Sequence, residues 1–220
     1  MARTLKIKTS LGSVTGKLSM PQTPRRTGVV LAHGAGAGQS HPWMVGMRDR
    51  LTAFGFPTLT FNYLYTEWGR KAPDRLPKLI EVHTAAANRL ATYTDDVVLA
   101  GKSMGGRVGG HVVADAGFPA VGLVYFGYPI VAMGKTTPRN TEHLAAVAAP
   151  QLFISGTRDP MGPSDLVEAV AASVPNGSYA PIADGDHSLV PRKSTGRTLE
   201  DSLDLACEIV DAWWISEINQ

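Results

Sequence analysis

Cysteine, long apolar runs and an excess of charge of either sign are all scarce in this chain of 220 residues. The single cysteine, Cys207, cannot form an internal disulfide, so nothing calls for an oxidising compartment. It lies in the helical pattern Leu203 to Val210 and reads as a small buried core residue. No stretch approaches the roughly 18 apolar residues of a membrane-spanning helix. The first residues, Met1 to Lys8, pass straight into a strand-like alternation without an apolar run of signal-peptide length, so the expected compartment is the cytoplasm. Lysines and arginines number 21 against 19 acids, and both are dispersed along the chain. With no basic stripe and no acidic tail, neither nucleic acid nor a membrane surface is an expected partner. There is no internal repeat, no low-complexity stretch and no signal for oligomeric state.

What is present is a chain with 44% hydrophobic residues, enough to bury a sizeable core, and it reads as a single domain over residues 1–220. An opening hairpin is expected, with strands at Leu5–Ile7 and Val14–Leu18 around the turn 10–13. Short apolar runs of the kind buried on both faces then alternate with helical patterns. The runs are Gly28–Ala32, Pro57–Phe61, Val97–Ala100, Val121–Phe126, Gln151–Ile154 and Ser178–Ala180. The helical patterns fall near 43–54, 78–92, 104–116, 143–147, 165–173 and 199–218. This alternation predicts an α/β fold, with a mainly parallel sheet covered by helices on both faces. The stretch between Phe126 and the next helix is too short for a cap domain, so an open site is expected.

The strongest chemical signal is Gly101-Lys102-Ser103-Met104-Gly105, followed by Gly106. It matches G-x-S-x-G between a buried strand and a helix. There, a sharp turn lifts the serine hydroxyl above the sheet and leaves no room for side chains beside it. A phosphate-binding loop ending in Gly101-Lys102-Ser103 would need glycine where Asp96 stands, and an acid there repels phosphate. A second signal is the apolar strand running into Ala32-His33-Gly34-Ala35-Gly36-Ala37-Gly38. Small residues after an early strand let backbone N–H groups approach a developing oxyanion. Ala35 is the first candidate donor, with Gly36 in reserve, and Met104 supplies the second N–H. Dinucleotide registers of this loop fail, because glycine is needed where Gln39 or His41 stands.

The third signal is Ser155-Gly156-Thr157-Arg158-Asp159 at the end of a late strand, and the fourth is Ala183-Asp184-Gly185-Asp186-His187 before the last helix. The order Ser103, Asp159, His187 is the one expected of a serine nucleophile, acid and base on this type of sheet. Asp184 and Asp186 compete for the acid role by proximity. A metal site made of them with His187 would put three ligands in four residues, a strained geometry, so neither metal nor cofactor is expected. The segment Tyr63 to Asp74 leaves the carboxyl end of a strand. Tyr63, Tyr65 and Arg70 read either as a pocket lining, with Gly36 and His41 as further substrate contacts, or as a packed surface loop.

At these residues the chain resembles the small α/β-hydrolase-fold proteins related to dienelactone hydrolases. The resembling branch includes testis-expressed protein thirty and subunit three of the NSL complex. The resemblance rests on His33 to Gly38, Phe61-Asn62-Tyr63 to Asp74, Gly101 to Gly106, Ser155 to Asp159 and Gly185-Asp186-His187. It implies an α/β-hydrolase fold with an eight-stranded, mostly parallel sheet, and a triad of Ser103, Asp159 and His187. Dienelactone hydrolases use a cysteine nucleophile where this chain has Ser103, so their substrate does not transfer. The expected activity is hydrolysis of a small-molecule acyl ester or thioester. The alternative is a hydrolase-fold binding or scaffold module with little turnover.

Overall fold

The structure is a computed structural model and describes residues 2–219. Its strands are β1 (Arg3–Thr9), β2 (Gly12–Ser19), β3 (Thr27–Ala32), β4 (Thr58–Phe61), β5 (Asp96–Lys102), β6 (Gly122–Phe126), β7 (Gln151–Gly156) and β8 (Gly177–Ile182). They form one sheet in the order β1-β2-β4-β3-β5-β6-β7-β8. The first two strands form the hairpin, and β2 pairs antiparallel with both its neighbours. Every pairing from β4 onwards is parallel. The helices are α1 (Pro42–Ala53), α2 (Leu64–Glu67), α3 (Leu76–Leu90), α4 (Met104–Ala114), α5 (Ser164–Ser173) and α6 (Leu199–Glu217), with short 3₁₀ turns at Glu142–Ala146 and Lys193–Thr195.

Side-chain alternation in the central strands builds two cores. Val29, Leu31, Val98, Ala100, Val124, Phe126, Leu152 and Ile154 face α1 and α6. Val30, Ala32, Val97, Leu99, Leu123, Tyr125 and Phe153 face α3, α4 and α5. Both faces of β3, β5, β6 and β7 are thus covered, which is why these strands read as continuous apolar runs rather than alternating ones. Helix α6 starts on a capping box, in which Thr198 and Asp201 satisfy each other's exposed N–H groups. Arg50 of α1 then ties to Glu200 and Asp204 of α6 at 2.7 and 2.6 Å.

The expected elements are present, with ends shifted by a few residues. Helix α2 was not anticipated; it folds inside the Tyr63 to Asp74 segment. Among the described residues, no separate cap domain stands over the sheet. The loop after β6 is instead pinned down, with Val131 N–H donating to the Met161 carbonyl and Arg139 N–H to that of Ile130. Among the described residues, no helix is long and apolar enough to cross a membrane.

Candidate active site

Parallel strands put their carboxyl ends, and the loops that follow, on one edge of the sheet. Ser103 follows β5, Asp159 follows β7 and His187 follows β8, so residues far apart in sequence converge there. The turn at Ser103 is tight. Its φ of 52° is unusual for a residue with a side chain, and such backbone strain costs about 1–3 kcal/mol. Close packing holds it: a Cβ on Gly105 would overlap the Ala32 carbonyl, and the Ser103 N–H donates to the Phe126 carbonyl at 2.9 Å.

His187 Nδ1 lies 2.8 Å from Asp159 Oδ2, and His187 Nε2 lies 2.9 Å from Ser103 Oγ. Asp159 only accepts, so the imidazole proton sits on Nδ1 and Nε2 is left to accept from the serine hydroxyl. The Asp159 carboxylate is fully buried, and its other oxygen accepts the Met161 N–H at 2.8 Å. Gly127 makes room for the pair, because a Cβ there would come 2.9 Å from the His187 carbonyl and 3.5 Å from the Asp159 carboxylate. Asp184 and Asp186 are engaged elsewhere. Asp184 is bonded to Arg192 and Arg158, and chiefly Arg192 holds it below the usual carboxylate range. Asp186 accepts the N–H groups of Ser188 and Val190.

A cavity of about 310 Å³ opens beside Ser103 and His187. Its walls include Gly34 to Ala37, His41, Met44, Lys102, Met133, Met161 and Ser188. Ala35 and Gly36 are exposed in that wall, and the Met104 N–H belongs to the first turn of α4, where amides have no intrahelical partner. His41 accepts the Trp43 N–H at 3.3 Å and also reaches the cavity.

Residues 25–215 match the family described as an alpha/beta hydrolase domain. The chain belongs to that family. This hydrolase domain is 28% identical over 212 residues to proteins of Mycobacterium tuberculosis, strains CDC 1551 and H37Rv, provisionally named phosphoribosyl transferases. The match covers 93% of this chain but 44% of theirs, so the chain spans less than half the length of these curated relatives. Among solved structures it is similar to dienelactone hydrolase from Anabaena variabilis, with TM-score 0.77 and 19% identity over 99% of this chain and 98% of that one. It is also similar to Est1E from Butyrivibrio proteoclasticus, solved with ferulic acid, with TM-score 0.77 and 16% identity over 98% of this chain and 100% of that one.

Three expected substrate contacts of the hydrolase domain lie elsewhere than expected. Tyr63 and Tyr65 are buried and do not line the cavity. Tyr63 packs edge-on against His33 and places its hydroxyl 3.2 Å from His83 Nδ1. Arg70 points along the surface, paired to Asp74 at 2.7 Å and lying over Trp68. The whole segment acts as a buttress. Glu67 accepts from Thr15 N–H and Asn62, and Asn62 in turn accepts the Gln39 N–H at the end of the glycine-rich loop. The loop's other anchor is His33. It donates from Nδ1 to the Gly34 carbonyl at 2.8 Å, while Nε2 accepts the Tyr63 N–H at 3.3 Å. Burial pushes His33 down to about 4, which keeps it neutral and able to play both parts.

Lys102, Met44, Met133, Met161 and Ser188 line the cavity without having been singled out as contacts. Only Lys102 carried a signal, as the variable residue just before the serine. Among the described residues, no cluster of three or more His, Cys, Asp or Glu could hold a metal ion.

Proposed function

We propose that the domain hydrolyses a small carboxylic ester or thioester through an acyl-enzyme, with Ser103 as nucleophile, His187 as base and Asp159 as orienting acid. The observation that carries this is the unbroken chain from Asp159 through His187 to Ser103, with links of 2.8 and 2.9 Å, beside an open cavity. Ser103 Oγ forms a bond to the acyl carbon while its proton passes to His187 Nε2. The oxyanion so formed is stabilised by the N–H groups of Ala35 and Met104. As the tetrahedral species collapses, the bond to the leaving alcohol or thiol breaks and the imidazolium returns its proton to that group. Water repeats the sequence on the acyl-enzyme and releases the acid.

The resemblance to the branch containing testis-expressed protein thirty and subunit three of the NSL complex is part of the same reading. The transferase name of the mycobacterial relatives is not carried over, since more than half of their length lies outside the match. A panel of short acyl esters, thioesters and amides, run with Ser103→Ala as control, tests the reading. Turnover that disappears in the variant supports it. Absence of turnover of every compound by the native protein would leave a binding module.

A further inference from the structure

Lys102, the residue before Ser103, lines the cavity and carries a charge that the proposed chemistry does not use. It is half-buried, and among the cavity's lining residues it is the one Lys, Arg, Asp or Glu. Its ammonium lies 3.4 Å from the His187 carbonyl and 5.7 Å from the centre of the Trp43 ring. An ammonium has three donors, and this single long contact uses one of them. No ion pair among the described residues includes Lys102. The nearby carboxylates are committed: Asp159 to His187 and Met161, Asp186 to Ser188 and Val190. Trp43 is itself fixed, donating from its indole to the Ser188 carbonyl at 3.0 Å, so it limits where the lysine can swing.

A partly desolvated cation without a counter-ion is costly. Burial accordingly holds its pKa below the ordinary lysine value, and the attraction of Asp159 and Asp186 opposes that only in part. An anionic group on a molecule in the cavity would supply the missing partner. With Met44, Met133 and Met161 as adaptable apolar walls, a cavity of about 310 Å³ suits a short hydrocarbon between that anion and the scissile bond.

We propose that Lys102 makes the site selective for small acidic esters, half-esters of short dicarboxylic acids, by receiving their free carboxylate on its ammonium. This rests on the hydrolase reading. Lys102 is here a specificity determinant. A purely structural lysine, bracing the His187 carbonyl, would affect acidic and neutral substrates alike.

The test compares the p-nitrophenyl half-ester of glutaric acid with its methyl-capped counterpart, in the native protein and in Lys102→Met. The native protein should favour the acid, and the ratio of the two kcat/KM values should fall roughly tenfold or more in the variant, as expected for loss of a charge-assisted hydrogen bond. Fluorophosphonate labelling of Ser103 should persist in both. Calorimetric titration with free glutarate should show binding to the native protein that weakens as much in Lys102→Met, while glutaramide binds neither well. An unchanged ratio, or glutarate binding equal in both proteins, overturns the proposal. If Lys102→Met fails to fold, competition decides on the native protein alone: glutarate inhibiting no better than glutaramide overturns it. Failure of the hydrolase reading looks different. There would be no turnover and no labelling, and the titration would still settle the role of Lys102.

Discussion

Replacing Asp159 by asparagine changes one atom, and the surrounding hydrogen bonds dictate how the amide must sit. Asp159 Oδ1 accepts the Met161 N–H and Oδ2 faces His187 Nδ1, each at 2.8 Å. In Asp159→Asn the amide oxygen is needed at the first position, since an NH₂ there would oppose another donor. The NH₂ then faces His187 Nδ1 and forces the imidazole proton onto Nε2. In that tautomer Nε2 can no longer accept from Ser103. The same change in an unrelated serine protease costs about 10⁴ in kcat. On that basis kcat for a p-nitrophenyl ester should fall on the order of a thousandfold or more, with KM little changed. Circular dichroism should report an intact fold. Asp186→Asn should cost far less, because its side-chain oxygen can still accept from Ser188 and Val190. A near-native rate in Asp159→Asn, or turnover abolished in Asp186→Asn but not in Asp159→Asn, would rule out Asp159 as the group that orients His187.

Other consequences are equally open to measurement. Gly105→Ala drives a methyl into the Ala32 carbonyl and should destabilise by about 1–3 kcal/mol or more; an unchanged thermal midpoint would contradict the packing described. Burial pushes His33 down to about 4 and His83 to about 3, from 6.5. Both are neutral when folded and gain protons on unfolding, so their contribution is complete above about pH 6.5 and is lost as pH falls, towards about 4 for His33 and about 3 for His83, by up to about 1.4 kcal/mol per pH unit for each. Urea titrations of His83→Gln should show one of those two slopes removed, and a slope equal to the native one would count against it. Arg70→Ala should change kcat/KM for acidic and neutral esters equally, because Arg70 is engaged with Asp74 and Trp68 outside the cavity. A selective loss with the acidic ester would return Arg70 to the site.

The sheet and its order of helices were legible because each central strand is buried on both faces and leaves an unbroken apolar run, as in Gly28–Ala32 and Val97–Ala100. The meeting of Ser103, Asp159 and His187 was legible because each follows a strand, and parallel strands bring their ends together. The segment after β4 misled. Two tyrosines and an arginine in an irregular stretch carry no periodicity; the tyrosines turn towards partners distant in sequence, His33 and His83, while Arg70 turns back to its neighbours Asp74 and Trp68. Helix α2 has four residues, too few for a 3.6-residue repeat to register. Lys102 sat in plain view inside the serine motif, but which way its side chain turns depends on Trp43 and the His187 backbone, which only the fold brings near.

The proposed chemistry stands or falls on Ser103 being an activated nucleophile. Intact-mass analysis after treatment with a fluorophosphonate, paired with an ester assay on the same sample, tests it most directly. One adduct per chain is expected, located at Ser103, with turnover lost in proportion to labelling and with neither labelling nor turnover in Ser103→Ala. Turnover that survives in Ser103→Ala, or an adduct that forms on another residue while Ser103 stays unmodified, would contradict it.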